Sequence, residues 1–321
     1  MKKYILFLSI SIFIISCSEK NKDKNKDKIQ EIPVEIMVDR FDQAFFETPI
    51  QNLPKLKRKY PAFFPVGVPD SVWTNKMQNP QWKQLYNEVQ KKYPDFNTQK
   101  AEIEDLFRHI KYYYPKTKTP KVITLIYDMD VEYKTVYADS LVLISLEMYL
   151  GKNHKFYEFP EYQKQTFEPF QILPDIVQDF SFDKIKPPTQ KDLLSLMIYA
   201  GKQLYFKDAL LPEYSDEDKI GYTKTQLEWA IAHQADTWRF FIDQNLLYNT
   251  DSKLSQRFIA PAPFTKFGLV SDSETTGKMG AWIGWQIVRT FMDNNKDVPL
   301  QKMLVMDATE IFQKSKYKPK K

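Results

Sequence analysis

Asp128-Met129-Asp130-Val131-Glu132 sets three carboxylates at alternate positions. In an extended segment successive side chains point to opposite faces, so this spacing places all three acids on one side. Paired carboxylates are the machinery of glycoside hydrolysis, one held protonated by its neighbours as a general acid. The flanks Ile123–Tyr127 and Tyr133–Tyr137 read as hairpin strands, with no βα repeat to build a barrel. A polar turn or an incidental cation site is the competing reading. Three histidines, His109, His154 and His233, stand apart, and none has a second histidine four residues away to share a helix face around zinc. A phosphate-cradling glycine loop, a nucleophile elbow and a paired-cysteine motif are also absent from the sequence.

The single cysteine, Cys17, has a different chemistry in view. Lys2 and Lys3 precede an almost unbroken apolar run from Tyr4 to Ile15, and Ser16 stands directly before Cys17. The run is shorter than the ~20 residues that span a bilayer and has the layout of a signal peptide ending in a lipobox. Residues 1–16 are therefore expected to be a signal peptide. Cys17 is expected to be the anchor, carrying a diacylglycerol thioether and an amide-linked acyl chain that together give durable membrane attachment. Ser18–Lys28 has no apolar residue, and 17–32 reads as lipidated cysteine plus an extended, charged tether.

The elements behind these residues are those of one large globular domain over 33–312, followed by a basic tail at 313–321. Twenty prolines against eight glycines favour helices that start on proline over extensive sheet. The formal charge of +5 is concentrated at the two ends, leaving 29–312 slightly acidic. Nothing in that balance provides the clustered basic surface that nucleic acid needs.

Asn79-Pro80 opens a helix to about Tyr93, and a second runs from Asn97 to before Pro115 with Ile103, Leu106, Phe107 and Ile110 on one face. Val122–Tyr127, Tyr133–Tyr137 and Leu141–Ile144 read as a small antiparallel meander. Thr189 with Asp192 resembles a capping box before a helix through Leu194, Met197, Ile198, Leu204 and Tyr205. Thr223 with Gln226 repeats the device ahead of a helix to about Asn245. Further helices are expected over about 278–292 and 300–312. The fold class is α+β, predominantly helical. Gly277, Gly280 and Gly284 lie in or beside a predicted helix that glycine weakens, so a close helix crossing is expected there in preference to a binding groove.

Met197-Ile198-Tyr199-Ala200-Gly201-Lys202-Gln203-Leu204-Tyr205, Leu246-Leu247-Tyr248-Asn249-Thr250-Asp251 and the region from Ala262-Pro263-Phe264 to Arg289 carry a resemblance. With the lipobox they make the whole chain resemble the gliding-motility lipoprotein GldB family of the Bacteroidota. The resemblance implies a lipoprotein on the periplasmic side of the cell envelope, needed for gliding and acting with a motility and secretion machinery through a protein partner. It implies no biochemical activity. The family is in turn distantly similar to zincin-type zinc proteases, whose His-Glu-x-x-His helix supplies two ligands and a general base. The corresponding helix here reads Met197-Ile198-Tyr199-Ala200-Gly201, so Met197, Ile198 and Gly201 mark a degenerate metal helix and the resemblance implies a pseudo-protease without metal or other cofactor. Should the old cleft persist, Glu228, Trp229, His233, Trp238 and Arg239 on one helix and Trp282, Trp285 and Arg289 on another are the candidate partner groove, since aromatic and arginine side chains anchor interfaces. The alternative is a glycosidase-like hydrolase working through Asp128, Asp130 and Glu132.

Overall fold

In the computed structural model, which describes residues 26–319, the β-branched and aliphatic run at 121–125 becomes an inner strand of a four-stranded sheet. The strands are β1 (Met37–Arg40), β2 (Lys121–Leu125), β3 (Thr135–Ala138) and β4 (Leu141–Ser145), ordered β1-β2-β4-β3. β2 runs parallel to both β1 and β4, with Met37 opposite Lys121 and Val122 opposite Val142. Only β3 and β4 are antiparallel, joined through Asp139 at φ 47°. The expected antiparallel meander is thus corrected to a mixed sheet with an additional strand. Strands covered on both faces read as continuous apolar runs whatever the direction of their neighbours, so composition did not disclose the pairing. Along β2 and β4 the side chains alternate: Val122, Val142 and Ile144 enter the main core, while Ile123 and Leu125 join a smaller cluster with Phe41, Phe45, Tyr60 and Phe64.

Five α-helices lie between β1 and β2: α1 (Phe41–Glu47), α2 (Leu53–Lys59), α3 (Asp70–Gln78), α4 (Pro80–Lys92) and α5 (Asn97–Tyr113). The Asn79 side chain caps α4 by accepting from Gln81 N and Trp82 N, as its sequence predicts. After the sheet come α6 (Ile172–Ser181), α7 (Leu193–Leu210), α8 (Asp216–Ile220), α9 (Lys224–Ala232), α10 (Gln234–Asp243), α11 (Lys253–Phe258), α12 (Met279–Asn294), α13 (Leu300–Val305) and α14 (Ala308–Ser315). Thr223 and Gln226 form the capping box of α9. At α7 the cap is Asp192, which accepts from Ser195 N, so the helix starts one turn later than the Thr189 pattern suggests.

Two predicted helices are each broken in two. His233, at φ −108° and ψ 11°, separates α9 from α10, and its Nδ1 pairs with Trp229 O at 2.9 Å. Extended Met306 separates α13 from α14, and Asp307 recaps the chain by accepting from Thr309 N. The folded body also exceeds its expected limits. Ser315 is fully buried and Tyr317 packs edge-on against Trp238 at 5.4 Å, beyond the expected end at 312. At the other end 26–30 is helical where an extended tether was expected: Ile29 is buried, Lys26 pairs with Glu213 at 3.2 Å, and Gln30 donates to Asp105 at 2.8 Å. One apolar side chain is enough to dock this turn. The expected signal peptide and Cys17 lie outside the described residues. Among the described residues no helix is long and apolar enough to cross a membrane.

α7 and α12 cross at the centre, backbone against backbone. A Cβ at Gly284 would stand 1.8 Å from Met197 O, and one at Gly201 would stand 2.3 Å from Gly284 O. Glycine at these positions is therefore a packing requirement, in line with the expected close crossing, and it fixes how α7 is rotated.

Candidate functional site

That rotation decides which α7 residues reach solvent. Met197 and Gly201 face α12, and Ile198 lines a separate small cavity of about 50 Å³. The stripe Ala200, Gln203, Leu204 and Lys207, spaced at i, i+3, i+4 and i+7, faces a much larger cleft of about 560 Å³. The cleft's other walls are the Val131–Lys134 segment before β3, the short helical turn Glu161–Lys164 with the residues after it to Phe167, α6 through Asp175 and Gln178, the α8–α9 turn at Lys219–Tyr222, and the loops at Ile259–Ala262 and Gly277–Lys278.

The residues singled out from sequence are mostly elsewhere. Asp128 is exposed and pairs with Lys76 at 3.1 Å. Met129 adopts φ 52°, ending any extended run, and Asp130 accepts from Glu132 N at 2.9 Å across a 3-10 turn. The three carboxylates therefore do not share a strand face, and of the three only Glu132 touches the cleft. None of the eight residues expected to form a partner groove lines it. Trp238, Trp282 and Trp285 are buried, with Trp238 packed against Phe312 and Tyr317. Trp229 stacks on His233 at 4.1 Å, while Glu228 and Arg239 make exposed pairs with Lys224 and Asp236 on their own helices. Among the described residues no three His, Cys, Asp or Glu side chains gather as metal ligands would.

The charge in the cleft is carried by lysines that the sequence reading passed over. Lys134 Nζ lies 2.6 Å from Asp175 Oδ2, which also accepts from Tyr149 at 2.8 Å. Lys219 pairs with Asp208 at 3.1 Å. Lys207 and Lys278 have no carboxylate within salt-bridge distance among the described residues. Lys207 donates to Lys219 O at 3.2 Å and Lys278 to Ile220 O, two successive carbonyls at the end of α8. A helix leaves its last carbonyls unpaired, and here Gly221, at φ 70°, turns the chain so that the two ammonium groups serve as caps.

Burial pulls Lys207 down to about 8 against the opposing attraction of Asp175, with the charge of Lys134 adding to the fall. Burial, then the charges of Lys207 and Lys134, takes Lys278 to about 7. Asp179, behind the same wall, is pushed up to about 6 by burial and is held by Thr135 Oγ1 at 2.7 Å. Tyr222 closes the floor by donating to Gly277 O at 2.5 Å.

A rigid polar network backs the cleft. Arg289 grips Asp208 through Nε and Nη2, both at 2.8 Å, and Asp216 at 2.7 and 2.6 Å. Trp285 Nε1 donates to Asp208 at 2.8 Å, and the Arg289 guanidinium lies 3.8 Å over the Trp285 ring. Burial pushes Asp216 up, but its bonds to Arg289 and that charge outweigh this and hold it below the ordinary carboxylate value. Trp285 and Arg289 thus fix α12 to α7 and α8 and leave no side chain to present to a partner.

A signal for the cleft lysines was present in the sequence. α7 is apolar nearly all round, and a lysine inside such a helix must find partners in the interior. Lys202, donating to Leu304 O and Met306 O, and Lys207 both obey that rule.

A family model described as gliding motility protein GldB matches residues 22–319. No curated protein and no solved structure matches the chain.

Proposed function

Since the chain belongs to the GldB family of gliding-motility proteins, we propose that it serves gliding as a non-enzymatic, lipid-anchored protein of the cell envelope that holds a segment of a protein partner in the α7 cleft. The observation that carries this reading is the chemistry of the lining. The helix stripe facing the cleft offers a methyl, a carboxamide, an isobutyl and an ammonium group, and of the two lining carboxylates, Glu132 and Asp175, the latter is already committed to Lys134 and Tyr149. Such groups bind and orient; they do not form the paired acid and base of a hydrolase. A volume of about 560 Å³ suits a short extended segment of a partner.

Anchoring belongs to Cys17 in this reading. The lipidated cysteine holds the domain at the membrane, on its periplasmic side, where the motility and secretion machinery supplies the partner.

The test places a photo-cross-linking amino acid at Gln203 in cells and identifies the captured protein by mass spectrometry, in parallel with Gln203→Trp, which pushes a bulky indole into the cleft, and Cys17→Ala, which removes the anchor. The expected result is one envelope protein captured from the cleft, with gliding lost in Gln203→Trp and both capture and gliding reduced when Cys17→Ala is added to the cross-linking protein. Normal gliding by a folded Gln203→Trp protein would overturn the cleft as the working site.

A further inference from the structure

Lys207 and Lys278 are the two cations of the cleft without a carboxylate partner among the described residues, and they are adjacent, since they donate to the successive carbonyls Lys219 O and Ile220 O. An ammonium group carries three N–H donors. Each here makes one hydrogen bond, to a neutral acceptor, while the Lys207 side chain is almost wholly buried. A buried charge is tolerated when it is paired, and the nearby acids form no ion pair with these two lysines: Asp175 is held by Lys134, Asp208 by Arg289 and Lys219, and Asp179 accepts from the Thr135 hydroxyl. The fold therefore maintains two adjacent cationic donor groups at the wall of an open cavity.

The rest of the lining narrows what would complete them. Gln163, Gln178 and Gln203 border the cavity and make no side-chain hydrogen bond among the described residues. A carboxamide donates and accepts at once, which matches peptide amides. Glu132 also lines the cavity and disfavours a ligand whose negative charge is spread or multiple, whereas Asp175 is already paired with Lys134. Leu204, Ala260 and Ala262 add apolar surface to the lining.

Resting on the binding role proposed above, we infer that the segment held in the cleft is an acidic peptide whose carboxylate sits between the ammonium groups of Lys207 and Lys278. The carboxylate takes the free N–H donors of both lysines, and the glutamines take the amides on either side.

The pH dependence follows from the groups around the pair. Lys134, Lys219, Asp175, Asp179 and Glu132 surround Lys207 and Lys278, and burial together with the other cations makes the pair easier to deprotonate than ordinary lysines. Carboxylate binding therefore weakens as pH rises from 6 to 9.

The test uses the full-length protein in detergent on an array of randomised octapeptides, each synthesised twice, with Asp and Glu in one copy and Asn and Gln in the other. Retention of the acidic copy at least tenfold above its amide twin is expected at pH 6, falling at pH 9 and lost in Lys207→Gln and Lys278→Gln. Lys278→Arg should retain it. Thermal melts of each variant separate loss of binding from loss of fold. Equal retention of the twins, absence of retention from the array, or acidic retention unchanged in both glutamine variants overturns the carboxylate assignment. Displacement by micromolar inorganic phosphate with no preference for acidic copies overturns it in favour of a phosphate site. The binding role is judged separately by the Gln203 cross-link, so either inference can fail while the other stands.

Discussion

Gly284→Ala tests the geometry on which the cleft depends. The added Cβ would lie 1.8 Å from Met197 O and 2.4 Å from Met197 C. Both atoms are backbone, so no side chain can swing aside, and restoring ordinary contact requires α7 and α12 to separate by about 1.5 Å. A radial gap of ~0.5–1 Å already forfeits a quarter to a half of a dispersion well. Four fully or almost fully buried side chains beside the crossing, Met197, Ile198, Trp285 and Val288, would lose contacts together. At roughly 1 kcal/mol each the cost is about 4 kcal/mol, above the ~1–3 kcal/mol usual for overpacking because the clash is backbone against backbone. For a chain of this size that corresponds to a fall in Tm of about 6 °C. Circular-dichroism melts of the two proteins measure it directly. Gly201→Ala should cost a similar amount, and because both alanines open one seam, the double variant should lose clearly less than the sum. A Gly284→Ala protein melting within about 2 °C of the parent would refute the claim that this contact sets the helix separation.

Two further outcomes follow from buried charge. Glu147 is fully buried, and burial lifts it to about 7, although its Oε1 accepts from Tyr127 N at 2.9 Å. Because its folded value lies above the unfolded one, its contribution to stability is fully present below about 4.5 and is lost as pH rises through about 7. Glu147→Gln keeps the acceptor without the charge and should gain on the parent by up to about 3 kcal/mol at pH 8, converging toward pH 4.5 in denaturant titrations. A gain of the same size at both pH values would contradict the assignment. Asp208→Asn leaves Arg289 with Asp216 alone and removes the partner of Lys219, so a loss of about 3 kcal/mol is expected, read as a lower denaturant midpoint at unchanged slope.

Local chemistry in this sequence was readable wherever one short motif decides the outcome. Asn79-Pro80 and the Thr223–Gln226 box mark their helix starts because a cap needs only side chains a few residues apart. The glycines of α12 announced a close crossing because nothing else explains their presence in a helix. The sheet was another matter, for the parallel pairing of β2 with β1 and β4 depends on segments up to 84 positions apart in register, such as Met37 with Lys121. The helix breaks at His233 and Met306 carry neither proline nor glycine, although Asp307 with Glu310 three residues on is a legible restart. The cleft escaped for a related reason. Its lysines come from four separate segments, and only the fold reveals that two of them lack an acid while their neighbours Lys134 and Lys219 have one.

The manner in which the chain enters its sheet has a mechanical consequence. β1 is an edge strand with one neighbour, and ahead of it lie three successive attachments: Lys26 to Glu213, Gln30 to Asp105, and Ile36 N to Glu104 at 3.0 Å. A pull on the amino-terminal side would meet these in series. The exposed ion pair, worth at most about 1 kcal/mol, would yield first and the buried Ile29 turn next, before tension reached the β1–β2 ladder. Such an arrangement would lengthen under load in small steps, so that the sheet would feel a pull on the leading end only after these weaker attachments had yielded.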